Sequence, residues 1–284
     1  MALNVLARPV RRRVTRRTVF TIALVVFLVW SLFPILWILE TSFKTSLGIY
    51  GAPSLWPKTF TGSNYSQDLT DPGFRGNIAN SLIVAAATTL LSILIAVPAA
   101  YALTRLRFRG RNMVSNLTVA VYLVPPTILF VPLFEVAQIY GISDRALGLV
   151  PVYLIFSVPF CTWLVMSHML GVPRELEEAA LVDGASRLQS LRRVVLPLVL
   201  PSLAVVSVFA FTQSWNEFLF ALILISDQSQ QTLPVGLSNF LSGDVFEWGP
   251  LMAGGIIASI PPVLIYLAAQ RWIVSGLMTG GVKG

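Results

Sequence analysis

The sequence is poor in charge. Asp, Glu, Lys and Arg make up 12% of its 284 residues, against about 25% in ordinary soluble domains. It has a single cysteine, Cys161, and a single histidine, His168. One cysteine excludes a disulfide framework within the chain. Cys161 sits in an apolar run and reads as a small buried apolar group. A histidine with no second His or Cys nearby in sequence is not a metal site. No Gly-x-x-x-x-Gly-Lys-Ser/Thr loop is present, so nothing here cradles a nucleotide phosphate. No pair of carboxylates, Ser/His/Asp set or cluster of metal ligands falls within the apolar runs. These absences describe a passage or a scaffold and not a catalyst.

What is present is apolar sequence. Hydrophobic residues make up 55%, and the mean hydropathy is +0.76. Runs of about 20 apolar residues, the length that crosses the hydrocarbon core as a helix, recur along the chain. The pattern predicts an all-α membrane protein with six spans, at about 18–40, 78–103, 113–137, 146–170, 197–225 and 249–275. The basic segment before the first span (Arg8, Arg11, Arg12, Arg13, Arg16, Arg17) leads into an apolar run too long for a cleaved signal, so an uncleaved first span is expected. Asn116-Leu-Thr118 matches a glycosylation pattern but falls inside an expected span and is set aside.

The net charge of +7 does not point to nucleic acid, because the cations sit at span ends. With six spans and the N-terminus inside, sixteen of the twenty Lys and Arg residues fall on the cytoplasmic side. The outer segments keep Lys44, Lys58, Arg75 and Arg145. The positive-inside rule then places both termini in the cytoplasm. Prolines interrupt the spans at Pro34, Pro98, Pro125, Pro126, Pro132, Pro159, Pro261 and Pro262. Each frees a backbone carbonyl that a neighbouring helix or a wet cavity must satisfy. Two readings stand: packing kinks, or helices bent around a path. Ala85-Ala-Ala87 and Ala253-Gly-Gly-Ile-Ile-Ala258 allow close helix contact.

One polar island breaks the second half of the chain, from Glu175 to Pro197. Pro173 and the carboxylates of Glu175, Glu177 and Glu178 suit a helix start. Gly184 supplies a bend, and Ala185 to Arg193 reads as a second helix. Ala179 and Ala180 leave a spot where another surface can come close. A second polar set, Thr212, Gln213, Ser214, Trp215, Asn216 and Glu217, lies in the fifth expected span. It reads either as a hydrogen-bonded knot between helices or as the lining of a path for a polyhydroxylated ligand. Ion-driven transporters use several mid-membrane ionisable groups. Here Glu217 stands alone, with Glu40 and Glu135 near the outer ends of their spans. Energy is therefore expected from outside the chain.

Glu178-Ala179-Ala180, Gly184 and the later Val194-x-Leu196-Pro197 resemble the "EAA" loop of ABC importer permeases. Thr41-Ser-Phe-Lys44, Trp215-Asn-Glu-Phe-Leu-Phe220, Gln231-Thr-Leu-Pro-Val-Gly236 and Val274-Ser-Gly-Leu-Met-Thr-Gly-Gly-Val-Lys-Gly284 are similar to the maltose-permease-like half of the carbohydrate-uptake branch. The resemblance implies a type I importer transmembrane domain. Residues 1–77 would be a basic tail, first helix and outer segment, 78–275 a five-helix core with a coupling loop at 171–196, and 276–284 a cytoplasmic tail against the ATPase. It implies a bacterial or archaeal cytoplasmic membrane, and a second homologous permease, an ATPase dimer and an extracytoplasmic solute-binding protein as partners. It implies no cofactor on this chain, with ATP and magnesium on the ATPase. Coupling falls to Glu178, Ala179, Ala180, Asp183, Gly184, Leu196 and Pro197, and the substrate path to Gln213, Trp215, Asn216 and Glu217. The cargo would be a sugar or oligosaccharide. Glycerol-3-phosphate or a related polyol phosphate, an ion-coupled transporter and a membrane scaffold are the alternatives.

Overall fold

Fourteen α-helices follow one another in the computed structural model, which describes residues 7–52, 54–241 and 246–280. No strand occurs among the described residues. Among the described residues four helices are long and apolar enough to cross a membrane: Thr18–Ser42, Pro72–Arg105, Ala146–Leu170 and Trp248–Trp272. Two bent pairs, Arg111–Val121 with Pro126–Ile139 and Arg187–Leu198 with Leu200–Trp215, raise the number to six if each pair is one span. The expected third span, 113–137, is thus two helices meeting at 97°. Pro125 and Pro126 lie at the break, and the residue before a proline is driven out of the helical region. The expected fifth span, 197–225, also differs. Its first residues belong to the helical segment Arg187–Leu198, which meets Leu200–Trp215 at 79°, and a second break falls after Trp215.

The chain divides into two compact units. The first comprises residues 1–68 and 243–257. It holds α1 (Ala7–Ser42), α2 (Ser46–Tyr50), most of α3 (Ser63–Thr70) and the start of α14 (Trp248–Gly280). From Val19 to Trp37 the large side chains of α1 are exposed, Trp30 by 81%. That suits a helix whose neighbours are lipid or another subunit. The Thr41-Ser-Phe-Lys44 stretch ends α1 in a polar knot. Lys44 Nζ lies 2.6 Å from Glu40 Oε1 and donates to Ser54 O at 2.8 Å. Asn64 Nδ2 donates to Ser42 O and Lys44 O at 2.8 and 3.0 Å. Gly249 passes so close to Asn64 that a Cβ there would fall 2.6 Å from its Oδ1.

The second unit comprises residues 69–242 and 258–284. Its centre is α4 (Pro72–Arg105), packed on α7 (Leu149–Leu170) and α11 (Leu200–Trp215). Asp71 caps α4 by accepting from Phe74 N at 2.7 Å. Ser81, Ala85, Thr88, Ser92, Ala96 and Ala100 recur at three- and four-residue intervals and are buried on one face of α4. Small residues let the backbones approach where lipid gives helices no hydrophobic reason to associate. Ser92 and Ser157 meet across α4 and α7 at 2.7 Å, and Cys161 is fully buried among Val165, Val206 and Ala210. Around this centre lie α5 (Arg111–Tyr122), α6 (Phe130–Ile139), α8 (Arg174–Val182), α9 (Arg187–Ser190), α10 (Leu196–Leu198), α12 (Leu219–Leu224), α13 (Leu233–Ser238) and the rest of α14.

At the N-terminal end of α4 the Gln231–Gly236 stretch is folded back on the helix. Asn80 Nδ2 donates to Ser229 O and Gln231 O, both at 3.0 Å. Ser81 Oγ accepts from Leu233 N at 2.8 Å. Gly236 lies against Asn77, whose Nδ2 would be 2.0 Å from a Cβ at that position.

Candidate functional site

The polar island forms as two short helices around Gly184. Pro173 precedes α8, which carries Glu175 and Glu177 in its first turn. Gly184 N donates to Leu181 O at 3.1 Å and Ala185 N to Ala180 O at 3.0 Å. These are the paired bonds of a Schellman motif, and the residue between them must take the left-handed conformation. Gly184 does so, with φ +84°. The second helix begins two residues later than the sequence suggests. Ser186 is its cap, accepting from Gln189 N at 3.3 Å while its own N–H donates to Gln189 Oε1 at 2.7 Å. This capping box satisfies two donors at once. Residues Leu191–Val195 then widen into a π-helical turn just before Pro197, which has no N–H to give.

Glu178, Ala179, Asp183, Gly184 and Pro197 are exposed, and Ala180 and Leu196 are partly so. Beside them Leu176 and Val182 are 48% and 88% exposed, although this segment is not part of any long apolar helix. Exposed apolar side chains rimmed by charge are a common feature of contact surfaces. Leu176, Val182 and Leu188 were not singled out from sequence. The signal was there: they are large apolar residues within a polar island.

Glu177 faces the other way. It is buried, accepts a hydrogen bond from Tyr101 OH and pairs with Arg105 Nε at 3.0 Å from its Oε2. Arg105 Nη2 also donates to Met169 O and Val172 O at 3.0 and 2.8 Å. Arg174 Nη2 donates to Thr104 O at 3.2 Å.

The second place of interest is a cavity of about 180 Å³ among α4, α6, α7, α11 and α12. Thr88, Tyr153, Ser157, Gln213, Ser214 and Glu217 supply its polar wall, and Phe130, Phe156 and Phe220 its aromatic one. Phe220 meets Phe130 edge-on at 4.9 Å and Phe156 at 5.3 Å. Gln213, Pro126 and Phe156 also border a neighbouring hollow of about 310 Å³. Thr88 Oγ1, Gln213 Oε1 and Ser214 Oγ are buried and have no hydrogen-bond partner among the described residues. Hydroxyls, an amide and ring faces are what a polyhydroxylated molecule needs.

Glu217 is held in place by its neighbours. Its Oε1 accepts from Phe220 N at 2.9 Å, and its Oε2 accepts from Ala221 N at 3.1 Å and Tyr153 OH at 2.8 Å. The break after α11 is what makes this possible. Asn216 ends α11 and is exposed, α12 begins at Leu219, and the carboxylate covers the free N–H groups of the new helix. Trp215 does not line the cavity. It is buried, stacks on Phe211 at 5.7 Å and donates from Nε1 to Ala258 O at 3.0 Å. Of the four residues read from sequence as a path, Gln213 and Glu217 border the cavity and Trp215 and Asn216 do not. Tyr153 and Ser157, one turn apart on α7, were missed because they lie about sixty residues from the polar set.

The glycine-rich end 281–284 lies outside the described residues, and with it most of the expected tail contact.

Residues 89–279 match the model of the family described as binding-protein-dependent transport system inner membrane component. The sulfoquinovosyl glycerol transport system permease protein SmoH of Agrobacterium fabrum is 38% identical over 93% of both chains. The trehalose/maltose transport system permease protein MalG of Thermococcus litoralis is 34% identical over 96% of this chain and 99% of its own. Among solved structures, a chain of a bacterial ABC transporter involved in import of the acidic polysaccharide alginate superposes with a TM-score of 0.81. It is 24% identical and covers 93% of this chain and 98% of its own.

Proposed function

Because this chain belongs to the binding-protein-dependent transport system inner membrane component family, we propose that it is the sugar-passing permease half of an ATP-driven importer. The family makes it a membrane permease subunit, with ATP hydrolysis on a separate protein. In this reading six spans cross the cytoplasmic membrane, each bent pair counting as one, and both termini lie inside. A second, homologous permease completes the passage. Two ATPase subunits carry ATP and magnesium, and an extracytoplasmic binding protein delivers the cargo.

The observation that carries the reading is the island. A pair of short helices joined at Gly184 presents Glu178, Ala179, Ala180 and exposed Val182 outside the long apolar helices. It supplies the docking element that a chain without its own nucleotide loop requires. The ATPase pair closes on ATP and moves the island, and the spans pass from inward-open to outward-open.

The cargo is a sugar or oligosaccharide. Several relatives are named for such molecules, and the cavity offers hydroxyl, amide and aromatic groups. A polyol phosphate fits less well, since no Arg or Lys is among the described residues that line the cavity and the one charge there is Glu217. An ion-coupled cycle is disfavoured because Glu217 is already engaged by three donors.

The test is co-purification of the ATPase and substrate-stimulated ATP hydrolysis in one preparation. Ala180→Trp blocks close approach and Glu178→Lys reverses an exposed charge. Both variants should insert normally, lose the ATPase and lose uptake. Normal ATPase binding and stimulation in both would refute docking at the island.

A further inference from the structure

Glu177 has no part in the docking face. Its carboxylate turns inward to the end of α4, where Tyr101 OH donates to Oε1 and Arg105 pairs with Oε2 at 3.0 Å. Arg105 is the last residue of α4, and the same guanidinium holds two carbonyls at the end of α7. Arg174, the first residue of α8, returns a bond to Thr104 O at 3.2 Å. The start of α8 is thus fastened to α4 by a buried ion pair, a buried hydrogen bond from Tyr101, and a part-buried hydrogen bond from the exposed Arg174. A buried pair of this kind is costly to break from one side. The far end of α4 is fastened too, with Asn80 and Ser81 holding Ser229, Gln231 and Leu233. Ser81 and Arg105 are 24 positions apart in one helix, which is about 36 Å at the helical rise.

We infer that Glu177 is a positioning residue that welds the island to α4, so that movement of the island is delivered by α4 as one piece to the outer loop at 229–233. The inference rests on the docking role proposed above. It adds that α8 does not swing against α4 during the cycle, and that Tyr101, Arg105 and Glu177 enforce this. Were α8 free on its stem, a displacement imposed by the ATPase would be absorbed at Pro173. With the weld it reaches the opposite side of the membrane, where cargo is delivered.

The experiment uses the whole importer in proteoliposomes. Glu177→Gln keeps the shape and removes the charge. The ATPase should still co-purify, while substrate-stimulated hydrolysis and uptake fall roughly 5- to 150-fold, the span of an ordinary coupling free energy. Leu106→Cys at the cap of α4 and Arg174→Cys on α8, which border one open hollow, allow α4 and α8 to be joined by a short bis-thiosulfonate in a Cys161→Ala background. Joining them should leave uptake at the level of the unlinked cysteine pair, and in the Glu177→Gln background should restore stimulation. A residue needed only for folding would not be rescued in this way.

Wild-type stimulation in Glu177→Gln would overturn the inference, as would loss of uptake on linking the otherwise unaltered helices. Should Glu177→Gln fail to assemble, Tyr101→Phe removes a single hydroxyl and takes its place, with the same rescue expected and the same results overturning the weld. Failure of the docking role itself is distinguishable, because Ala180→Trp would then keep the ATPase bound whatever Glu177→Gln does.

Discussion

The indole N–H of Trp215 donates to the carbonyl of Ala258 at 3.0 Å, and Ala258 is the residue four positions before Pro262. In an unbroken helix that carbonyl would accept from residue 262, but proline has no N–H. Trp215 supplies the missing donor from α11. The second Trp215-Asn-Glu motif residue that matters, Glu217, performs a similar service for the free amides of α12. The motif repairs two helix interruptions within three residues.

Trp215→Phe keeps the ring and removes the donor. It leaves Ala258 O without its donor in a part-buried place, so the assembled complex should lose about 1 kcal/mol. Pro262→Ala restores an N–H in line with that carbonyl. Thermal unfolding of the detergent-solubilised complex should therefore show a smaller loss for Trp215→Phe in the Pro262→Ala background than alone. Additive losses would disprove the pairing.

Glu217→Gln replaces one accepting oxygen with a donor. It cannot serve Phe220 N, Ala221 N and Tyr153 OH together, so α12 should fray at its start. A stability loss of about 1–3 kcal/mol is expected, with uptake reduced beyond what the amount of assembled complex explains. Tyr153→Phe removes one of the three bonds and should cost less. Gln213→Leu touches none of these bonds and removes an unpartnered amide from the cavity wall. It should spare stability and raise the KM for uptake. An unchanged KM would remove Gln213 from the path.

These residues also mark what was legible in the sequence. The island was readable to within two residues, because proline, a run of carboxylates, and glycine are local signals whose physics acts over one turn. The apolar runs were readable for the same reason. Breaks within spans were not. Pro125-Pro126 announced a disturbance, but whether a helix bends by a little or by 97° depends on what packs on either side. Glu217 illustrates the rest. Its isolation in a span marked it as functional or structural, and the choice turned on Tyr153, a partner 64 positions away. Glu177 read as one of three carboxylates at a helix start, and only the fold turns it toward Arg105.

Gly236 concerns the N-terminal end of α4. A Cβ at this position would lie 2.0 Å from Asn77 Nδ2 and 2.9 Å from its Cγ, far inside contact distance. Asn77 is buried on α4 and has little room to turn. Gly236→Ala should force α13 away from α4 at a cost of about 1–3 kcal/mol, typical of overpacking. Asn77→Ala vacates the space, so Gly236→Ala should be much better tolerated in that background. Protease sensitivity of the outer loop in right-side-out vesicles would report the displacement, and an equal effect in both backgrounds would show the contact to be unimportant.

Gly184 separates backbone conformation from crowding. Nothing lies within 4 Å of where its Cβ would be, so a side chain meets no obstacle, and any penalty comes from φ +84° alone. Asparagine tolerates left-handed angles, alanine resists them by roughly 1 kcal/mol, and a β-branched residue resists them most. Uptake and ATPase co-purification should therefore fall in the order Gly184→Asn, Gly184→Ala, Gly184→Val, with Asn near the parent and Val severely impaired. All three should insert equally, since the position lies in no long apolar helix. Size alone would predict a different order, because alanine is the smallest of the three. If Gly184→Ala outperforms Gly184→Asn, the bend is not maintained by the left-handed residue, and the Schellman geometry is not what sets the angle between α8 and α9.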